Sequence, residues 1–239
     1  MTRSGRAEGD PAQVAQQLLE AVRLNEPTER HLRTIAALSD DELDLIRTDR
    51  RAGLAFWLNL YNAATQLLLD DRPELFDTRW RFFRTTAITV AGTGLSLDDI
   101  EHGLLRNGRS KYGLGYLPRL ARTGLDTSYR LAVDPRIHFA LNCGAASCPA
   151  IRSFDHRSID ETLDEATKTF LDQEAEYEAE QGRVTLPRVC LWFIGDFGGR
   201  TGLRRFLREY EQIPADATPS LRFDRYDWTV APRAFIGKE

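Results

Sequence analysis

Residues 85–97 read Thr-Thr-Ala-Ile-Thr-Val-Ala-Gly-Thr-Gly-Leu-Ser-Leu, and the fold class turns on this stretch. Apolar and β-branched residues fill Thr85–Val90 and Leu95–Leu97, and Ala91-Gly92-Thr93-Gly94 between them supplies turn residues, so the stretch predicts a β-hairpin. Everything before it has a helical period. Asp10-Pro11 opens a helix with Val14, Leu18 and Val22 at helical spacing, ending near Asn25–Pro27. A second segment covers His31–Leu38, and a third opens at Ser39 with Glu42 as an S-x-x-E capping box. A strongly apolar helix runs from Gly53 through Leu69 and stops at Asp70–Pro73. Beyond the hairpin the elements mix. Ser96 with Asp99 caps a helix, and a Gly-, Tyr- and Pro-containing loop covers residues 108–118. Ile137–Asn142 reads as a strand, and Ser158 with Glu161 opens a helix through Phe170. Arg183–Phe193 reads as one or two strands around Pro187, Leu203–Tyr210 as a helix and Leu221–Val230 as a last strand. Helices first, then helices and strands mixed, predict an α+β fold: N-terminal helices followed by a small, mainly antiparallel sheet with packed helices. One domain over residues 11–239 is expected, after a polar tail over residues 1–10.

The 239 residues are 42% hydrophobic and 28% charged, and the counts of Gly (17), Pro (10) and Cys (3) exclude collagen-like, low-complexity and disulfide-miniprotein classes. No apolar run approaches the roughly 20 residues of a membrane-spanning helix, and the N-terminus has no apolar core of a secretory signal. A cytoplasmic protein is the expectation. The formal net charge of −4 argues against a nucleic-acid-binding face. No Walker A or dinucleotide fingerprint appears, and no cofactor is expected. Three cysteines in such a compartment read as free thiols, metal ligands or a nucleophile rather than structural bridges.

Three clusters carry candidate chemistry. Asn59, Asn62 and Gln66 share one face of the apolar helix, so buried amides are expected there. They either tie the helix to a neighbouring backbone or orient a catalytic group. His102 has Asp98 at i−4 and Arg106 at i+4, an acid–imidazole–guanidinium row that suits a general base or an ordinary solvated face. Glu101 and Asp99 are expected to point elsewhere. In Asp134–Pro149, strand alternation would place Ile137, Phe139 and Leu141 opposite His138, Ala140 and Asn142. The run ends in Cys143-Gly144-Ala145-Ala146-Ser147-Cys148-Pro149, whose small residues allow close backbone approach and whose N–H groups suit an anion. Cys143 at the end of that strand is placed where nucleophiles are displayed; the bland reading is a buried free cysteine before a turn. A Cys143–Cys148 disulfide is disfavoured by compartment. His102, His138, Cys143 and Cys148 would make four zinc-type ligands, but the cysteine spacing departs from the usual C-x(2–4)-C half-site. Asp196, in Asp-Phe-Gly-Gly after an apolar run, would orient a histidine; the kinase reading fails for want of its companion motifs. Cys190 reads as core, and His31 and His156 as surface.

These pieces together resemble the DUF547 family of domains of unknown function. The resemblance rests on A-F-W-L-N-L-Y-N-A (Ala55–Ala63), I-E-H-G-L-L-R (Ile100–Arg106), D-P-R-I-H-F-A-L-N-C-G-A-A-S-C-P-A-I-R (Asp134–Arg152), D-F-G and Y-D-W (Tyr226–Trp228). It implies that the signature amides, histidine and Cys-Gly loop are Asn59, Asn62, His102, Cys143 and Gly144; it implies no activity. Ala231 stands where the family usually carries an Asn after Y-D-W.

Two functional expectations follow. One is a cysteine-dependent hydrolase or acyl-transferase of papain or transglutaminase logic, acting on a small-molecule or peptide amide or ester. Cys143 would be the nucleophile, His102 the base with His138 in reserve, Asn59 or Asp196 the orienter, and the Gly144–Ser147 backbone the oxyanion donor. Asn62, Asn142 and Arg106 complete the substrate-binding set. The other is a non-catalytic binding or scaffold module in which the same residues form a buried hydrogen-bond network. Neither nucleic acid nor membrane is expected as a partner.

Overall fold

The computed structural model describes residues 9–120 and 124–237, so the expected tail lies outside the described residues as far as residue 8. Helix α1 (Pro11–Leu24) starts where the Asp10 side chain accepts the Ala12 N–H at 3.0 Å, with proline pre-set in its first turn. Helix α2 spans Glu29–Ala36 and α3 spans Asp40–Thr48. The capping box opens α3 as expected: Ser39 N–H donates to Glu42 Oε2 at 2.8 Å, and Glu42 N–H donates back to Ser39 Oγ at 3.4 Å. Helix α4 (Arg50–Asp71) is buried almost all round from Ala52 to Gln66, as a helix apolar on every side must be. Helix α5 (Arg79–Arg84) leads into the hairpin of β1 (Thr86–Val90) and β2 (Thr93–Ser96), antiparallel around Ala91 and Gly92 in the left-handed region.

After the hairpin the chain departs from several expectations. Asp99–Leu105 is a π-helical turn rather than an α-helix, with Arg106 N–H bonded to Glu101 C=O and Gly108 N–H to Gly103 C=O. Ser96 and Asp99 do bond as a capping pair, Ser96 Oγ donating to Asp99 Oδ2 at 2.7 Å. Ile137–Asn142 forms no strand. Asp134 accepts the Arg136 N–H at 3.0 Å, Pro135 fixes the first turn, and Pro135–Phe139 winds into a 3-10 helix. Helix α6 covers Ile159–Glu174 without a side-chain cap from Ser158. Strands β3 (Glu176–Glu178), β4 (Arg183–Leu186) and β5 (Ser220–Phe223) make a second sheet in that order, β3 antiparallel and β5 parallel to β4. Pro187 ends β4, and the rest of the expected strand is the helical turn α7 (Val189–Trp192). Helix α8 (Gly199–Glu209) includes most of the expected Leu203–Tyr210. The last strand is shorter than expected: β5 ends at Phe223, and beyond it Val230 and Phe235 make isolated bridges to Ala145 and Ile151.

The fold is α+β. Its core has two apolar clusters. The larger surrounds α4, with Leu18 and Leu19 of α1, Ile46 of α3, Val90 of β1 and Ile137. The smaller joins Phe139, Leu171, Leu186, Cys190, Leu203 and Leu207. Ile137 and Phe139 therefore serve different clusters, and the segment they occupy bridges the two. No described helix is long and apolar enough to cross a membrane.

Candidate active site

The amide stripe on α4 is the frame of the site. Asn59 Nδ2 donates to Phe154 C=O at 2.7 Å while its Oδ1 accepts the Phe154 N–H at 2.9 Å. Asn62 does the same one turn on, donating to Ala140 C=O at 3.0 Å and accepting from Asn142 N–H at 2.9 Å. Gln66 Oε1 accepts the Arg233 N–H at 2.6 Å. Asn142 donates to Pro149 C=O at 2.8 Å and accepts from Gly144 N–H at 2.9 Å, closing the cysteine loop on itself. Asn59, Asn62 and Asn142 are fully buried, their amide groups hydrogen-bond backbone, and none of the three lines the cleft described below. Unpaired buried amides and peptides each cost about 1–3 kcal/mol, which is why helix and loops are gripped at paired donors and acceptors.

That grip sets the two thiols together. Cys143 Sγ lies 2.7 Å from Cys148 Sγ, and Tyr226 Oη lies 3.2 and 3.1 Å from the two sulfurs. The Cys143 N–H donates to Cys148 Sγ at 3.0 Å. Burial pushes the Cys148 thiol up, but hydrogen bonds from Cys143, Tyr226 and the Ala145 and Cys143 backbone outweigh it and bring it down to about 7. Cys143, bonded to that thiolate and buried beside it, is held well above its ordinary value. Cys190 is pushed up to about 12 by burial, against a lowering backbone hydrogen bond. The loop backbone is already committed: Gly144 N–H to Asn142, Ala145 to the sulfurs, Ala146 N–H to Thr229 C=O at 2.8 Å and Ser147 N–H to Asp227 C=O at 3.3 Å. The expected oxyanion donors of Gly144–Ser147 are thus spoken for. Gly144 is required at its place, with φ +88° and Leu69 Cδ1 2.6 Å from where a Cβ would sit.

The imidazoles are set by Arg106, which is fully buried. Its Nε and Nη2 donate to the two oxygens of Asp196 at 2.6 and 3.2 Å, and Nη1 meets His102 Nδ1 at 2.9 Å. A guanidinium only donates. His102 Nδ1 is therefore the acceptor, and the proton of a neutral ring sits on Nε2, 3.6 Å from Asp98. Burial and the Arg106 charge hold His102 well below its ordinary value, so the neutral ring presents its N–H at Nε2. Arg106 Nη1 also donates to Ser110 C=O at 3.2 Å, and the side chain does not line the cleft described below. His138 Nε2 meets Asp196 Oδ2 at 2.9 Å, and its ring stacks on Phe193 at 4.4 Å. Burial opposes ionisation of Asp196, but His138 and Arg106 hold it below the usual carboxylate range. With Nε2 given to Asp196, Nδ1 is the basic nitrogen of His138, and no described protein group hydrogen-bonds it. Burial lowers His138, partly offset by Asp196.

Thiols and imidazoles open on one cleft of about 490 Å³ between the two apolar clusters, lined by Cys143, Cys148, Ser147, His102, His138 and Glu101 with an aromatic wall of Tyr226, Trp192 and Trp228. Within the described residues no hydrogen bond joins a sulfur to an imidazole. Among the described residues, no group of three or more His, Cys, Asp or Glu side chains could hold a metal ion, so the four ligands of the zinc reading do not converge. His31 and His156 are half-buried away from the cleft, His156 beside Asp10 at 3.5 Å.

Sequence reading missed two groups. Glu101 faces the cleft because the π-turn's extra residue rotates the helix face; Tyr61 Oη donates to its Oε2 at 3.2 Å. Burial raises the Glu101 carboxyl to about 7. A raised carboxyl favours the protonated fold, so this contribution to stability is full below pH 4.5 and declines as pH rises toward 7. Glu101→Gln is expected to flatten that decline, read as urea midpoints across pH 4–8; an unchanged slope would show Glu101 ionised throughout. Tyr226, noted only inside its motif, supplies the hydroxyl that bridges the thiols.

Fold and site together define an α+β protein whose cleft displays a dithiol beside two buried imidazoles. The chain belongs to the family described as protein of unknown function, DUF547, whose model matches residues 45–171, just over half of its length. No curated protein and no solved structure matches it. The matched span holds the amide stripe, the π-turn and the dithiol loop. Asp196, Tyr226 and Trp228 lie beyond it.

Proposed function

We propose that the protein is a thiol-dependent hydrolase or acyl-transferase acting on an amide or ester. The carrying observation is the hydrogen-bonded Cys148 sulfur, set to hold a thiolate, on the same cleft as a His138–Asp196 pair whose Nδ1 no described group hydrogen-bonds. On this reading Cys148, rather than Cys143, is the nucleophile, and Cys143 is its hydrogen-bonding partner. The thiolate adds to the carbonyl carbon; the C–N or C–O bond breaks as the leaving group takes a proton from His138, freshly charged from the cleft; water or an acceptor then cleaves the thioester, returning the proton to His138 Nδ1. Asp196 stabilises the transient imidazolium. His102 Nε2–H and protonated Glu101 are donors on the same cleft for charge on the carbonyl oxygen. The aromatic wall favours substrates with an apolar body. Turnover of a p-nitrophenyl ester and aryl amide panel is the test. Cys148→Ser and His138→Ala are each expected to lower kcat at least about 10²-fold, the scale of a lost base or nucleophile. Activity untouched by both variants would overturn the assignment.

A binding module without turnover is the second reading. It is favoured by Asn59, Asn62 and Asn142, whose amide groups hold backbone rather than reach for a substrate. It is upheld if the panel is inert while apolar ligands still quench the tryptophans of the cleft, in the parent and in Cys148→Ser alike.

A further inference from the structure

We propose that Cys143 and Cys148 are a thiol–disulfide exchange pair whose oxidant is a low-molecular-weight disulfide. This inference does not rest on acyl transfer in the cleft. The two sulfurs stand 2.7 Å apart, inside non-bonded contact, so closure to the ~2.05 Å of a disulfide needs only a small movement. Both side chains are half-buried and line the cleft, so a small disulfide has a path to them. The pair is chemically unequal. Cys148 Sγ receives the Cys143 N–H at 3.0 Å and bonds Tyr226 Oη at 3.1 Å, an environment that stabilises a thiolate there. Cys143 shares the Ala145 N–H with Cys148, and its hydrogen bond to Cys148 together with burial keeps its proton on. That is the division between an attacking and a resolving thiol. The loop joining them, Gly144 to Ser147, has only small side chains and places no bulk between the sulfurs. Cys190 is fully buried in the smaller apolar cluster and serves as an internal unreactive thiol.

The exchange balances as follows. The Cys148 thiolate attacks one sulfur of R–S–S–R; a Cys148–S–S–R bond forms, the R–S–S–R bond breaks, and R–S⁻ leaves. Cys143 then loses its proton to water, its sulfur attacks Cys148 Sγ, the intramolecular disulfide forms, and the second R–S⁻ leaves. Two cysteine thiols are oxidised by two electrons, and one disulfide is reduced to two thiols that take up the two protons. In the oxidised form the thiolate is gone, so any thiol chemistry in the cleft is switched off until a reductant restores it.

Oxidised glutathione is the probe, with intact-mass and non-reducing peptide mapping of the folded chain as the readouts. The parent is expected to lose two hydrogens, retain no glutathione, show a peptide linked through Cys143 and Cys148, and recover on adding excess reduced glutathione. Cys143→Ser is expected to stop at one retained glutathione on Cys148. The proposal is overturned if the parent accumulates glutathione on either cysteine without the internal bond. It is equally overturned if the folded parent stays unreacted while the urea-unfolded chain is oxidised. The parent's peptide map decides these outcomes even if the serine variant folds poorly, and it is read without any substrate, so failure of the acyl-transfer reading leaves it unaffected.

Discussion

Asp196→Ala is expected to destabilise the fold by about 3–5 kcal/mol, because it strands a buried guanidinium. Arg106 is fully buried, and Asp196 accepts two of its donors. The same carboxylate also holds His138 and the Arg109 Nη1 at 2.9 Å. Against a total stability of roughly 5–15 kcal/mol this is a large fraction. The urea midpoint at pH 7 measures it. A change under about 0.5 kcal/mol would mean that water or rearrangement replaces the carboxylate. The loss has a pH signature. Asp196 is depressed in the fold, so its contribution is fully present above the ordinary aspartate value near pH 4 and is lost as pH falls through the lower folded value. The parent should therefore lose stability on acidification below about pH 4 more steeply than Asp196→Ala. Asp196→Asn keeps the shape and one acceptor, and should fall between the two. Since His138 Nε2 loses its anionic partner, both variants should also lose the proton-transfer role proposed for His138.

The second large effect concerns which thiol reacts. Alkylation by iodoacetamide, followed by peptide mapping, should modify Cys148 first, with a rate that rises through a midpoint near pH 7. In Cys148→Ser, the total rate at pH 6 should fall about tenfold, since Cys143 is then an ordinary or raised thiol and lower thiolate content outweighs its greater intrinsic nucleophilicity. In Cys143→Ala, Cys148 loses one hydrogen-bond donor and its midpoint should move up. The sign is worked from the partner: a donor to the thiolate lowers the thiol's value, and removing it raises that value. Cys143 labelling ahead of Cys148 at pH 6 would reverse the assignment of the two sulfurs and return the nucleophile to the position expected from sequence. Cys190, pushed to about 12 in an apolar cluster, should stay unlabelled until the protein unfolds.

The second reading of the cleft, ligand capture without turnover, bears on both experiments. Neither the Asp196 effect nor the order of labelling requires catalysis. They test the arrangement of the site, whereas the ester and amide panel tests what it does.

The helical half of the chain was legible because its signals are local. Asp10-Pro11 and Ser39 with Glu42 cap their helices through atoms two or three residues away, and the all-round apolar character of Ala52–Gln66 demands burial wherever the rest of the chain goes. The hairpin was legible for the same reason, its turn residues lying between its strands. The amide spacing of Asn59 and Asn62 announced buried polar groups, yet not their partners, which lie 95 and 78 residues away in sequence. Ile137–Asn142 alternates like a strand, but no strand lies beside it, and Asp134 with Pro135 winds it into a 3-10 turn instead. The rotation of Glu101 into the cleft follows from i-to-i+5 bonding that spacing rules for α-helices do not anticipate.

Sequence alone determined the fold class, the caps at Asp10 and Ser39, the buried amides and the presence of thiols and imidazoles, because each depends on neighbours in the chain or on the cost of exposing apolar surface. Tertiary structure alone decided the protonation of the site. Arg106 on His102 Nδ1, Asp196 on His138 Nε2 and the Cys143 N–H on Cys148 Sγ fix where each proton sits. A pKa depends on burial and on groups a few ångströms away: Arg106 and Cys143 stand only four and five residues from their partners, but the burial of each, and the approach of Asp196 to His138 across 58 residues, exist only in the folded chain.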